Sequence, residues 1–212
     1  WRSSIERLMG IEAEARRAAT LAELRFLIAN ETSAACQAGQ VFVFAAKGAK
    51  FKISAISGVS GFEANAPRVA MLECVVATLA KEQDLAQQAE FALPAYCPPS
   101  DEEHKTYPFR FLAWLPLLHR DGRQVVGGVL LARDAPWIEA NLKIGARLAE
   151  TYAHAWQALT SKGGAAGKIL RPKLAWLSAP LIVLAGFIPV TMTVLAPAQI
   201  VSSNPVAITA PI

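Results

Sequence analysis

The chain has 212 residues, 53% of them hydrophobic, with 21 basic and 17 acidic residues and a net charge of +4. Four of the basic residues and none of the acidic ones follow Glu150, so residues 1–150 are neutral and the basic balance belongs to one short stretch. That distribution argues against nucleic acid as a partner, and three cysteines without CxxC or other ligand spacing argue against a metal centre.

The chain opens on Trp1 rather than methionine and reads as a piece of a longer product. No apolar run of the signal-peptide kind stands near its start. Residues 1–19 suit a polar helix, with Ser3 or Ser4 as its cap and Glu6 or Arg7 spaced to pair with later charges. A second helical run spans Thr20 to Cys36, with Leu21, Leu24, Leu27 and Ile28 on one face, ended by Ala38-Gly39. Two strands follow. Gln40 to Ala45 (QVFVFA) is rich in aromatic and β-branched residues, and Phe51 to Ser57 (FKISAIS) alternates apolar and polar, with a turn at Lys47-Gly48-Ala49. Gly58 to Ala66 is a loop. A helix over Pro67 to Lys81 carries proline at its first position, where the missing N–H costs nothing, and Val69, Leu72, Val76 and Leu79 mark its buried stripe.

Pro94 to Pro108 holds four prolines and clustered acids and reads as a surface loop. Phe109 to His119 and Gln124 to Ala132 form the strongest strand pair, joined by Arg120-Asp121-Gly122-Arg123; Asp-Gly between apolar runs is a hairpin signal. A long helix over Trp137 to Leu159 follows Pro136. Its Ile138, Leu142, Gly145, Leu148, Tyr152, Ala155 and Leu159 advance by threes and fours, as in packing on a sheet or a two-helix seam. Residues 161–173 read as a basic flexible linker, with SKGGAAG at its start. GGAAGK is no phosphate-binding loop: its spacing is one residue short and Ile169 stands where Ser or Thr is required.

Leu174 to Leu195 is 22 residues without a charge. As a helix it would span roughly 33 Å, against a hydrocarbon core of about 30 Å, so residues 174–196 are expected to cross a membrane. Pro180 and Pro189 are tolerated in such a helix. Lys162, Lys168, Arg171 and Lys173 precede the span and no charge follows it. Basic residues within about 15–20 positions hold their end in the cytoplasm, which makes these four the topology determinants. Residues 197–212 carry Ile200, Val206 and Ile208 among prolines and suggest a strand confined to an edge.

The order helix, two strands, helix, loop, hairpin, long helix resembles a GAF domain over roughly Thr20 to Leu159, and residues 20–160 are assigned to it. GAF domains commonly carry Pro-Leu in one central strand and Gly-x-Leu in the next; here these are Pro116-Leu117 and Gly128-Val129-Leu130. The resemblance implies an α+β fold, an antiparallel sheet with helices on one side and a ligand pocket on the other. Candidate pocket residues are Cys97, Tyr107 and Trp114. The Asn-Lys…Phe…Asp-Glu pattern of cyclic-nucleotide-binding members is missing. The cysteine-histidine pair of bilin-binding members is missing too, since Pro98 follows Cys97 and His104 lies seven residues on. Cys97 would sense oxidants if its thiolate were stabilised, but an unreactive loop cysteine is the simpler reading.

The segment PAQIVSSNPVAITAPI resembles the first strand of an HlyD-type periplasmic adaptor, also called a membrane fusion protein. Ile200, Val206, Ile208, Ala210 and Pro211 fit, at the point where Asp-Gly opens the β-domain of those proteins. With one span of the right orientation, the resemblance implies a bacterial inner-membrane protein, its N-terminal domain cytoplasmic and its C-terminal part periplasmic. It further implies a homo-oligomer joining an inner-membrane transporter to an outer-membrane channel in efflux or secretion. A GAF-containing transmembrane signalling receptor is the alternative, and an unidentified small-molecule ligand of the GAF domain fits either. No enzyme is expected, and no cofactor. His104, His119 and His154 lack partners at metal or triad spacing, and nothing apolar surrounds Asp101-Glu102-Glu103 to shift a carboxyl pKa.

Overall fold

The hydrophobic alternation of the four long strand segments is what builds this molecule, because it gives one sheet two apolar faces. The computed structural model describes residues 2–98 and 103–167. The expected span 174–196 and the strand within 197–212 lie outside them. Among the described residues no helix is long and apolar enough to cross a membrane.

In chain order the elements are α1 (Arg2–Arg17), α2 (Leu21–Cys36), β1 (Gln40–Lys47), β2 (Lys50–Ile56), α3 (Pro67–Glu82), β3 (Ala89–Ala92), α4 (Glu103–Thr106), β4 (Phe111–Leu118), β5 (Val125–Arg133) and α5 (Glu139–Gly167). The five strands form one antiparallel sheet in the order β2-β1-β5-β4-β3. The Pro-Leu and Gly-x-Leu motifs sit on its two central strands, where Pro116 pairs directly with Gly128.

One face carries Val41, Val43, Leu115, Leu117, Val129 and Leu131 against α1, α2 and α5. The other carries Phe42, Phe44, Ile53, Leu112, Trp114 and Leu130 against α3. On the first face α2 and α5 run antiparallel. Thr32 and Tyr152 share a hydrogen bond of 3.0 Å, the Arg25 guanidinium lies 4.8 Å over the Trp156 ring, and Asn141 donates to Gln37. Buried Glu12 ties α1 to α5 by accepting from Arg16 and Arg147. Gln157 of α5 holds the β4–β5 turn, donating to the Leu118 carbonyl and accepting from the Arg120 amide.

Local chemistry accounts for most boundaries. Thr20 caps α2 by accepting from the Glu23 amide, and the Glu23 carboxylate reaches back to the Ala19 amide, a variant of the capping box. Pro67 opens α3, and Gly48 and Gly122 take positive φ at the two hairpin turns.

Several expectations are corrected. Ser3 and Ser4 lie inside α1, not at its cap, and α2 ends through Gln37 in a left-handed conformation rather than at Ala38-Gly39. Ile138 precedes α5 and is 56% exposed, so the buried stripe begins at Leu142. The expected linker is helical at its start, because α5 continues through Gly167. A helix already nucleated on a packed core adds residues cheaply, and each of the two glycines at 163 and 164 costs only about 1 kcal/mol. Strand β3 and the single turn α4 were not anticipated.

Candidate functional site

The face of the sheet covered by α3 is the side on which the sequence expects a ligand pocket, and it gathers Cys97, Tyr107 and Trp114 into one apolar cluster. Strand alternation puts Trp114 there: it points opposite to Ala113 and Leu115. The indole is fully buried. Its N–H donates to the Leu85 carbonyl at 3.0 Å, and Phe44 and Phe51 meet it edge-on at 5.7 and 5.9 Å. The ring packs against β5, where a Cβ at Gly128 would fall 2.1 Å from it. Trp114 is therefore not the wall of a cavity at this point but the group that fills the space.

Tyr107 follows α4 and closes the opposite end of the same cluster, 2% exposed. Its hydroxyl donates to Gln40 at 3.0 Å, Phe109 packs edge-on against it, and the Arg68 guanidinium lies 5.3 Å above the ring. Burial pushes its phenol well above the usual range, an effect the Arg68 charge opposes. It is a neutral hydrogen-bond donor. Cys97 is half-buried on the rim of the cluster, its amide donating to the Pro94 carbonyl.

Sequence reasoning missed the residues that complete this face. Arg68 is paired with Glu103 at 3.3 Å, and Gln83 donates to Tyr96, whose ring meets Phe91 edge-on. Phe51 could have been found from the alternation of β2. Arg68, Gln83 and Leu85 carry no local signal, since only the closed chain brings them to the aromatic rings.

Two grooves lie away from this cluster. A groove of about 290 Å³ between β4 and α5 is lined by Leu118, His119, Arg120, Glu150 and His154. Another of about 350 Å³ between α2 and β2 is lined by Arg25, Phe26, Val59 and Phe62. Neither is bordered by Cys97, Tyr107 or Trp114. Among the described residues no group of His, Cys, Asp or Glu is arranged to hold a metal ion. Cys36, the most enclosed thiol, is pushed up to about 12 by burial and is chemically quiet.

No family model matches the sequence, and no curated protein is similar to it. Solved structures are similar in fold. The GAF domain of a phosphoenolpyruvate-protein phosphotransferase from Coxiella burnetii has a TM-score of 0.58 at 16% identity, covering 76% of this chain and 96% of that one. The GAF domain of the corresponding Acinetobacter protein gives 0.56 at 12% identity with the same two shares. The chromophore-binding domain of a bacteriophytochrome from R. palustris gives 0.51 at 11%, covering 76% of this chain and 63% of that one. The described part of the chain has the fold of a GAF domain.

Proposed function

We propose that this chain is the membrane-proximal part of an inner-membrane-anchored periplasmic adaptor of an efflux or secretion system, and that its GAF-fold domain is a cytoplasmic sensing or docking module. The observation that carries the reading is the order of parts along one chain. A GAF-fold domain ends on a 29-residue helix, and three basic residues and 22 uncharged ones then lead to a segment like the first strand of an adaptor. In a signalling receptor the last helix of such a domain would lead into a kinase, a cyclase or a coiled coil, not into an uncharged span. The filled interior around Trp114 favours docking of a partner over capture of a small ligand within the sheet face.

The test is affinity purification from membranes of the full-length protein and of a form lacking residues 1–160, with export assayed in parallel. An inner-membrane transporter and an outer-membrane channel should co-purify with both forms, and deletion should change the regulation of export but not assembly. Recovery of a histidine kinase or cyclase without a transporter replaces this reading with the receptor.

A further inference from the structure

Several of the domain's cations are matched to carboxylates: Lys52 to Glu73, Arg68 to Glu103, Lys143 to Glu139, Arg16 to Glu12, and Arg147 to Glu12 and Glu150. Arg17, Lys47, Lys50, Arg120 and Arg123 are different. All five are exposed, and none has a carboxylate partner among the described residues, which is true also of Arg7, Lys81 and Arg110.

The fold brings these five to one end. Ala45 and Leu117 both pair with Gly127, so the β1–β2 turn holding Lys47 and Lys50 stands level with the β4–β5 turn holding Arg120 and Arg123. Gln157 fastens the second turn to α5, ten residues before that helix ends. Arg17 arrives at the α1–α2 corner: α2 lies antiparallel to α5 with Arg25 on Trp156, and Arg16 borders the same groove as Ala158. Acidic groups are also present here: Glu14 is exposed without a side-chain partner, Glu150 lines the groove of His119 and Arg120, and two others are engaged. Asp121 accepts from the Arg123 and Gln124 amides, with His119 beside it at 3.4 Å, and Glu23 accepts from the Ala19 amide. Glu14 stands one turn before Arg17. The end that gathers these five is the end at which α5 finishes, and Lys168, Arg171 and Lys173 follow in sequence.

We propose that this end of the domain is a membrane-facing surface that binds the anionic headgroups of the leaflet beneath it. The proposal rests on the anchored topology given above. Cations on turn tips are hydrated and repel one another weakly across water. Next to an anionic leaflet each adds attraction, and the effect falls away within a Debye length, so the surface acts only when the domain sits down on the lipid. Docking would hold the domain in one orientation and leave the α2–β2 groove with Phe26 and Val59 accessible at its side.

The experiment uses the full chain with a fluorophore at Ala49→Cys, between Lys47 and Lys50, and with Cys74 and Cys97 replaced by serine. It is reconstituted into vesicles of phosphatidylcholine alone or mixed with phosphatidylglycerol, each carrying a headgroup-linked energy acceptor. Transfer should be roughly twofold higher in the phosphatidylglycerol vesicles at low salt, and fall to the phosphatidylcholine level at about 1 M salt, where screening reaches ~3 Å. The combined variant Lys47→Glu, Lys50→Glu, Arg120→Glu, Arg123→Glu should lose the difference, while Arg110→Glu, at the opposite end of β4, should keep it. Equal transfer in both lipids, or a difference that survives the four substitutions, overturns the proposal. An alkaline wash reports separately on the anchor. Retention on phosphatidylcholine vesicles supports it, and release from them overturns the span whatever the transfer shows.

Discussion

On one face of the sheet three helices lay alanines, leucines and the rings of Tyr152 and Trp156 over Val41, Leu115 and Leu131; on the other, one helix and irregular chain close over Phe44, Tyr107 and Trp114. The first face is packed between regular elements, its rings Tyr152 and Trp156 held on α2 by Thr32 and Arg25. The second depends on a few large rings whose polar atoms each need one specific partner, Leu85 for the indole and Gln40 for the phenol. Trimming a buried side chain costs stability on either face, and at Trp114 it also leaves the Leu85 carbonyl without its donor.

Three substitutions sharpen that contrast, measured as denaturant unfolding of residues 1–167, which form one compact unit. Trp114→Ala should be the most damaging, at about 3–5 kcal/mol, because it removes a fully buried ring and leaves the Leu85 carbonyl without its donor. Free indole added to this variant should raise its melting temperature, and no such recovery is expected for a trimmed residue on the helical face. An absence of both effects would mean that the second face collapses as readily as the first. Gly128→Val should cost about 1–3 kcal/mol, since its Cβ meets the Trp114 ring at 2.1 Å. In the Trp114→Ala background the same change should cost distinctly less, the mark of two residues competing for one space. Tyr152→Phe, on the helical face, should lower stability by only about 1 kcal/mol, through the hydroxyl of Thr32 left without its partner.

The contrast also explains what could be read in the residues beforehand. The helices and the four long strands announced themselves through period and turn chemistry. The stripe Val69, Leu72, Val76 and Leu79 is buried as the spacing required, and Asp121-Gly122 turns the hairpin. The second face was legible only in its membership. Trp114, Tyr107 and Cys97 do lie together, yet nothing in the pattern revealed that the indole would fill the space, because its fit depends on Gly128 and Leu85 from two other segments. Strand β3 escaped notice because AEFA is four residues with two alanines and no β-branched side chain, and it exists through its pairing with β4. The boundary of α5 was set too early, since glycine marks a weak helix but does not stop one that is already propagating.

Helix α5 has a mechanical consequence. It is a rod of roughly 43 Å, gripped near its start where Gly145 lets Leu115 approach, and again by Tyr152 and Trp156. A tilt of about 10° about Trp156 would sweep its far end through roughly 3 Å, given ~1.5 Å of rise per residue. The part of the helix beyond its last grip is thus the arm through which a small change of tilt in the domain is passed on to Gly167.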